Sequence, residues 1–423
     1  MTVALLFGSF ILLIALGMPI GYAIGLATLI TILSDPIIAL NTIAQTSITG
    51  VDSFPLMAVP FFMLAGNMMS CGGISERIIH LCECLFGRLS GGLSIVTIVA
   101  CMFYAALSGS AVATTSGIGS FMIPAMDERG YDRGFAASIT AAAGSIGVII
   151  PPSIPFVIYG VSVNCSIGDL FIAGFLPGIM MGVALIIMSL IYCKKKGYGG
   201  DGHKVTGKDI WVAFKRSILA LLMPVIILGG IYTGIFTPTE SAVVACVYCI
   251  LVSCLVYREM KLKDLYKAFV DTMVVNGITT FMVGLSMGFA VLLNLKGIPA
   301  TIADFMLGIT DNKILILLMI NIFLLIVGSM IDNIPATIIL APILLPIVTQ
   351  VGMDPITFGI MLTMNLAIGF VTPPYGINLF VASAISKVPM LSMMRTTIWC
   401  LISLLIVLML VTYVPAFTLF ALQ

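Results

Sequence analysis

Apolar residues dominate this chain in long runs, broken by short polar joints rather than alternating with polar positions. Runs of about 20 apolar residues are the length of a membrane-crossing helix, and many stretches qualify. The first run, Ala4 to Leu16, continues past Pro19 into a second, which argues against a cleavable leader. The longest polar stretch, from Cys193 to Arg216, divides the chain near its middle. The two sides resemble each other. Gly144 to Gly160 (GSIGVIIPPSIPFVIYG) reads like Leu366 to Ala382 (LAIGFVTPPYGINLFVA). Aligning Pro151 with Pro373 gives an offset of 222 positions (373 less 151), and that offset also pairs Gly147 with Gly369, Pro124 with Pro346, Gly130 with Gly352 and Asp132 with Asp354. Gly73 pairs with Gly297 after a two-residue shift, and Pro19 with Pro238. An ordered series at nearly constant offset indicates a duplicated unit.

The pattern predicts an all-α polytopic membrane protein made of two such units. Residues 1–193 form the first: helices within 1–87, a hairpin at 90–129, a broken helix at 133–162 and a helix at 168–193. A linker follows at 194–216. Residues 217–423 form the second: helices within 217–310, a hairpin at 313–353, a broken helix at 355–387 and a helix at 390–417. Each hairpin region has a polar, small-residue middle, ALSGSAVATTSGIGS (Ala106–Ser120) and GSMIDNIPAT (Gly328–Thr337), which predicts two half-helices joined by a non-helical tip. Each broken helix carries a double proline, IIPPS (Ile149–Ser153) and VTPPYG (Val371–Gly376). Proline removes a donor and frees a carbonyl one turn back.

Charge sets the orientation. Lys194, Lys195, Lys196, Lys204, Lys208, Lys215 and Arg216 place the linker in the cytoplasm, and two spans further on Arg258, Lys261, Lys263 and Lys267 return there. Hairpin 90–129 is flanked by Arg88, Arg129 and Arg133, whereas 313–353 is flanked by Asp311, Lys313 and Asp354. Equivalent segments therefore enter from opposite faces, an inverted-topology repeat, with both termini periplasmic.

Composition agrees with burial in lipid: of 423 residues, 60% are hydrophobic and 9% charged, where soluble domains carry about 25% charged. The net charge of +1 lends nothing to nucleic-acid binding. Cys246 and Cys249 lie amid Val, Ala and Tyr and read as packing residues, and His80 and His203 do not form a metal cluster.

The chemistry resides in irregular backbone at membrane depth, tolerated only where protein or a wet cavity satisfies it. Freed carbonyls suit a hard cation such as sodium, and half-helix N-termini suit an anion. Ser108 and Ser110 either bond their own backbone or contact the cation. Asp332 is an acid at membrane depth, which marks function, but it also fits as the cap of the following half-helix; Asn333 adds donor and acceptor capacity. Glu240 at a helix start reads as a cap.

Taken together, SGSAVATTSGIGS, GVIIPPSIPFVIYG, FTPTESA, DNIPATIILAPILLPI and GFVTPPYGIN resemble the large membrane (DctM-type) subunit of tripartite ATP-independent periplasmic (TRAP) transporters, over the whole chain. The resemblance implies an inner-membrane secondary transporter and not an enzyme. It implies an elevator, in which two hairpins and two broken helices slide as a transport domain across a scaffold. It implies uptake of a small organic anion, such as sialic acid or a C4-dicarboxylate, driven by sodium entry without ATP or an organic cofactor. A periplasmic substrate-binding protein and a small membrane subunit of about four helices are the implied partners. That subunit is expected as a separate chain, since no further segment precedes Met1. Carried over, one sodium site would use Ser108, Ser110, Gly147, Ile150 and Pro151, and the other Gly328, Asp332, Asn333, Gly369, Thr372 and Tyr375. The substrate would lie near Thr115, Ser153, Thr337 and Asn378. A stand-alone sodium–dicarboxylate symporter of related architecture is the alternative. An intramembrane aspartyl protease needs two facing acids, and no second motif offers Asp332 a partner. A channel would not need the paired occluding hairpins.

Overall fold

The computed structural model describes residues 2–34, 40–198, 206–310, 312–374 and 376–422, all in helices and the turns between them. Seven of the described helices are long and apolar enough to cross a membrane. The first half contains α1 (Thr2–Ala15), α2 (Ile20–Leu33), α3 (Leu40–Thr49), α4 (Ala58–Cys71), α5 (Ile74–Phe86), the pair α6 (Gly92–Ser108) and α7 (Ala111–Glu128), the pair α8 (Arg133–Gly144) and α9 (Ile154–Val163), and α10 (Ile167–Lys196). The second contains α11 (Gly207–Tyr232), α12 (Pro238–Ile250), α13 (Leu262–Leu295), α14 (Ile298–Ile309), the pair α15 (Lys313–Gly328) and α16 (Asn333–Gln350), the pair α17 (Pro355–Gly369) and α18 (Ile377–Ser386), α19 (Met390–Tyr413) and the short α20 (Ala416–Leu419).

The aligned sequence positions do equivalent structural work. Gly130 and Gly352 both take positive φ, +79° and +74°, in the turn after a hairpin. Asp132 then caps α8 through the Phe135 amide at 2.8 Å, and Asp354 caps α17 through the Ile356 amide at 2.8 Å. Such a cap satisfies a donor that the first turn leaves unpaired, worth about 1 kcal/mol. Both double prolines, Pro151-Pro152 and Pro373-Pro374, contain a cis peptide bond. Glu240 forms a reciprocal capping box with Thr237 at the start of α12.

The linker departs from the sequence pattern for local reasons. The polar stretch Cys193–Arg216 is helical at both ends. α10 runs on to Lys196, with Lys194 to Lys196 on its final turn and Gly197 closing it at φ +71°, a placement of cations that suits the helix dipole. α11 begins at Gly207, fixed by a Thr206–Asp209 capping box. In the 3₁₀ turn Phe54–Met57, Pro55 interrupts the first-half counterpart of α13, which itself runs unbroken for 34 residues. α12 ends in a π-helical turn, Leu251–Val256.

The core is built around α6, α8 and α17, whose residues are almost all buried. Around it the halves interlock. α16 packs on α9, α18 on both α7 and α8, and α19 on α8. Polar contacts cross as well: the Tyr159 hydroxyl donates to Pro355 O at 2.6 Å, and Ser138 Oγ pairs with Thr396 Oγ1 at 2.7 Å. Cys246 and Cys249 are buried against α4, with Cys246 Sγ 3.0 Å from Phe61 O.

Candidate functional site

Both hairpins narrow to short non-helical tips. At the first, α6 stops because Gly109 adopts φ +61°, and α7 restarts with Ser110 as its cap, accepting from the Ala113 amide at 3.4 Å. Ser108 Oγ lies 3.0 Å from Thr114 Oγ1, and Thr114 Oγ1 donates to Ser110 O at 2.8 Å. Ser108 and Ser110 therefore do bond within their own tip, and each hydroxyl oxygen keeps lone-pair capacity beyond those bonds.

The first broken helix is pressed onto this tip. The Ile154 amide donates to Gly109 O at 3.3 Å. Gly147 allows the approach, since a Cβ there would lie 2.7 Å from Ser110 O and 2.5 Å from Thr114 Oγ1. Ile150 and Pro151 are buried behind it. Ser153 caps α9 and donates to Val148 O at 2.6 Å, re-satisfying a carbonyl in the break.

The second tip follows the same plan with different side chains. α15 ends at Gly328, and Asp332 caps α16 by accepting from the Asn333 amide at 2.8 Å. Asn333 Oδ1 accepts from Thr337 Oγ1 at 3.0 Å, while its buried Nδ2 has no protein partner among the described residues. Gly369 meets Gly328 directly: a Cβ on Gly369 would lie 2.7 Å from Gly328 Cα. Thr372 Oγ1 donates to Ile368 O at 2.9 Å. Tyr375 lies outside the described residues.

A cavity of about 410 Å³ joins the two tips. Ser108, Gly109 and Ser110 form one wall, Asp332 and Asn333 another, and Ile154 and Phe370 of the two broken helices the floor between them. The remaining wall comes from outside the hairpins. Gly66, Asn67 and Ser70 of α4 and Thr279 of α13 face the same space. Asn67 Nδ2 donates to Thr272 Oγ1 at 2.8 Å, tying those two helices together, and Ser70 pairs with the buried Tyr104 hydroxyl. Sequence reading did not single out these scaffold-side polar residues; each is one polar position on an otherwise apolar helix, with no local signal that it faces a cavity.

Thr115, Ser153, Thr337 and Asn378 lie behind the tips, each fully buried and outside the described cavity lining. Thr115 Oγ1 donates to Ala111 O at 2.9 Å, and Asn378 Nδ2 reaches Ala141 O across the halves at 3.2 Å. Asn378 Oδ1 is a buried acceptor without a partner among the described residues.

The electrostatics of the cavity are one-sided. Asp332 is the single ionisable acid on its described lining, and no Lys, Arg or His is there. The ends of several helices converge on it. α7 and α16 point their N-termini at it, where unpaired amides and the helix dipole favour negative charge. α6 and α17 bring their C-termini, at Ser108 and Phe370, whose carbonyls favour positive charge. An anion and a small hard cation can thus be held side by side, with the cation offsetting a charge that no basic side chain offsets.

Residues 7–417 match the family described as Tripartite ATP-independent periplasmic transporter, DctM component. The isethionate TRAP transporter permease protein of Oleidesulfovibrio alaskensis is 46% identical over 415 residues, covering 98% of this chain and 65% of that protein. The sialic acid TRAP transporter large permease protein of Vibrio cholerae is 39% identical over 414 residues, covering 98% and 96%. The C4-dicarboxylate TRAP transporter large permease protein of Rhodobacter capsulatus is 34% identical over 434 residues, covering 99% and 98%. Among solved structures, the YdaH transporter of Alcanivorax borkumensis, described as having an unusual topology, aligns with a TM-score of 0.62 over 88% of each chain at 12% identity, a likeness of fold alone.

Proposed function

The chain belongs to the DctM component family of tripartite ATP-independent periplasmic transporters, and from that premise we propose that it carries a small organic anion inward by sodium-coupled secondary transport. The observation that supports this reading best is the cavity where helix N-termini, helix C-termini and one carboxylate converge without a basic side chain on the described lining. In such a space an anion gains from the amides of α7 and α16, while sodium gains from carbonyl, hydroxyl and carboxylate oxygens. Coupling follows from charge: each ion lowers the cost of holding the other away from water.

The sodium ligands in this reading are Ser108 and Ser110 with backbone around Gly147–Pro151 at one tip, and Gly328, Asp332 or Asn333, Gly369 and Thr372 at the other. Thr115, Ser153, Thr337 and Asn378 support the tips from behind, and the anion takes the cavity itself. Movement is by an elevator: hairpins α6–α7 and α15–α16 with broken helices α8–α9 and α17–α18 form the travelling domain, against a scaffold that includes α4 and α13. A periplasmic binding protein and a small membrane subunit complete the system, with the linker cytoplasmic and the termini periplasmic.

The relatives' names point to the class of cargo. Isethionate, sialic acid and C4-dicarboxylates share a compact polar body with an acidic group ionised at neutral pH, so the cargo proposed here is an organic acid of that size, carboxylate or sulfonate.

The test is uptake into proteoliposomes containing the chain, its small subunit and binding protein, with an imposed sodium gradient. Ser108→Ala, Asp332→Ala and Thr372→Ala should each raise the sodium concentration needed for half-maximal uptake, by about tenfold for a lost ligand contact. Unchanged sodium dependence in all three would remove the sodium sites from these tips. Uptake undiminished without the binding protein would favour a stand-alone symporter.

A further inference from the structure

A second cavity, of about 560 Å³, lies far along the chain from the hairpin tips, between α5, α11 and the loop that follows the π-helical turn. Its charged and aromatic lining is Glu76, Arg77, His80, Lys215, Arg216, Tyr257 and Glu259. Arg77 is already engaged. It makes two bonds to the Glu259 carboxylate, at 2.7 and 3.0 Å, and its guanidinium stacks 3.7 Å from the Tyr257 ring centre. The backbone around the cavity is fixed too: Ser217 Oγ donates to Arg77 O at 2.8 Å, and the Tyr257 hydroxyl to Arg216 O at 3.2 Å. Lys215 and Arg216 are exposed, and neither has an ion pair among the described residues.

An independent observation fixes the depth of that pair. On α11, Trp211, one turn before Lys215, and Phe214, immediately before it, are exposed, at 64% and 38%, and stack on each other with ring centres 6.0 Å apart. Exposed Trp beside an apolar span belongs to the headgroup belt. Lys215 is four residues further toward the apolar stretch, about 6 Å along the axis. Two cations are thus held at about the level of the lipid phosphates, on the lining of an open cavity.

We propose that this cavity binds the phosphate headgroup of an anionic phospholipid, with Lys215 and Arg216 holding the phosphate, the Arg77–Tyr257 stack forming the floor, Trp211 and Phe214 at headgroup level and the exposed Ile218 and Leu222 lying against the acyl chains. The Arg77–Glu259 pair contributes no net charge, so it provides shape, and Lys215 and Arg216 together outweigh the one further carboxylate on the described lining, Glu76, leaving the cavity net positive. The membrane rather than free phosphate is the source because the aromatic pair sets the cations at headgroup depth and the exposed Ile218 and Leu222, further along α11, continue the site into the hydrocarbon side. Located where the first-half helix α5 meets the second-half helix α11, the lipid acts as a strut between the two repeats.

Native mass spectrometry of the full chain released from nanodiscs tests this, with phosphatidylglycerol and phosphatidylethanolamine as paired probes. Wild type should retain phosphatidylglycerol preferentially, and Lys215→Gln with Arg216→Gln should cut that preference about tenfold or more, since each basic residue near the surface contributes separately. Lys215→Arg with Arg216→Lys, which keeps both charges, should retain it. An undiminished preference in the Gln pair overturns the proposal, as does its loss in the charge-keeping pair. Inorganic phosphate that displaces the lipid at equal concentration would assign the site to a soluble anion and overturn the lipid.

Discussion

Arg77 and Glu259 connect residues far apart in sequence, α5 in the first half and the α12–α13 loop in the second, through one ion pair with a side-chain exposure of 24% and 40%. Hydrogen bonding to Arg77 holds the Glu259 carboxyl below its usual range. A group whose folded pKa is depressed adds stability above its unfolded value, about 4.3 for Glu, and loses it as pH falls through the folded value. Exposure keeps the contribution at about 0.5 kcal/mol. Thermal unfolding of wild type and Glu259→Gln should therefore differ slightly and constantly from pH 6 to 8, and converge only below about pH 4. A difference that vanished near neutrality would mean that another group controls the contact. Gly73 belongs to the same arrangement: its φ of +70° and the Glu259 carboxylate beside it leave no room for a side chain.

Among the elements, the contact between each hairpin and its broken helix is made through glycine. Gly369→Val should destabilise the protein by about 1–3 kcal/mol, the range for overpacking a filled core, because the nearest atoms are Gly328 backbone and cannot rotate away. Gly277→Val, where a Cβ meets nothing within 4 Å, should change the melting temperature little. Equal effects at both sites would show that the α15–α17 contact is loose. These contacts were legible in sequence: Gly147 and Gly369 stand out when the halves are aligned, and small, polar residues amid apolar runs mark the tips at Ser108–Ser110 and Asp332–Asn333. The scaffold side of the cavity was not legible. Asn67, Ser70 and Thr279 carry no motif, and only the packing of α4 and α13 against the tips brings them to one space. The helical ends of the linker were hidden for a different reason. Capping by Thr206 and Asp209 and closure by Gly197 extend α11 and α10 into a stretch whose polarity reads as loop.

For the whole molecule, the interlocking of the repeats governs how the chain is made. α9 lies against α16, Tyr159 is satisfied by Pro355 O, and Asn378 completes Ala141 O, so the first half emerges from the ribosome with contacts that only the second can supply. Neither half is therefore expected to fold stably in its own right. Residues 1–198 expressed alone should be cleared by membrane proteases, whereas the same segment co-expressed with 206–423 should accumulate and copurify with it. Stable accumulation of the first segment by itself would contradict this. Duplication therefore ended in mutual dependence, so that a premature stop in the linker would yield no partially working carrier, and quality control needs to inspect only the finished product.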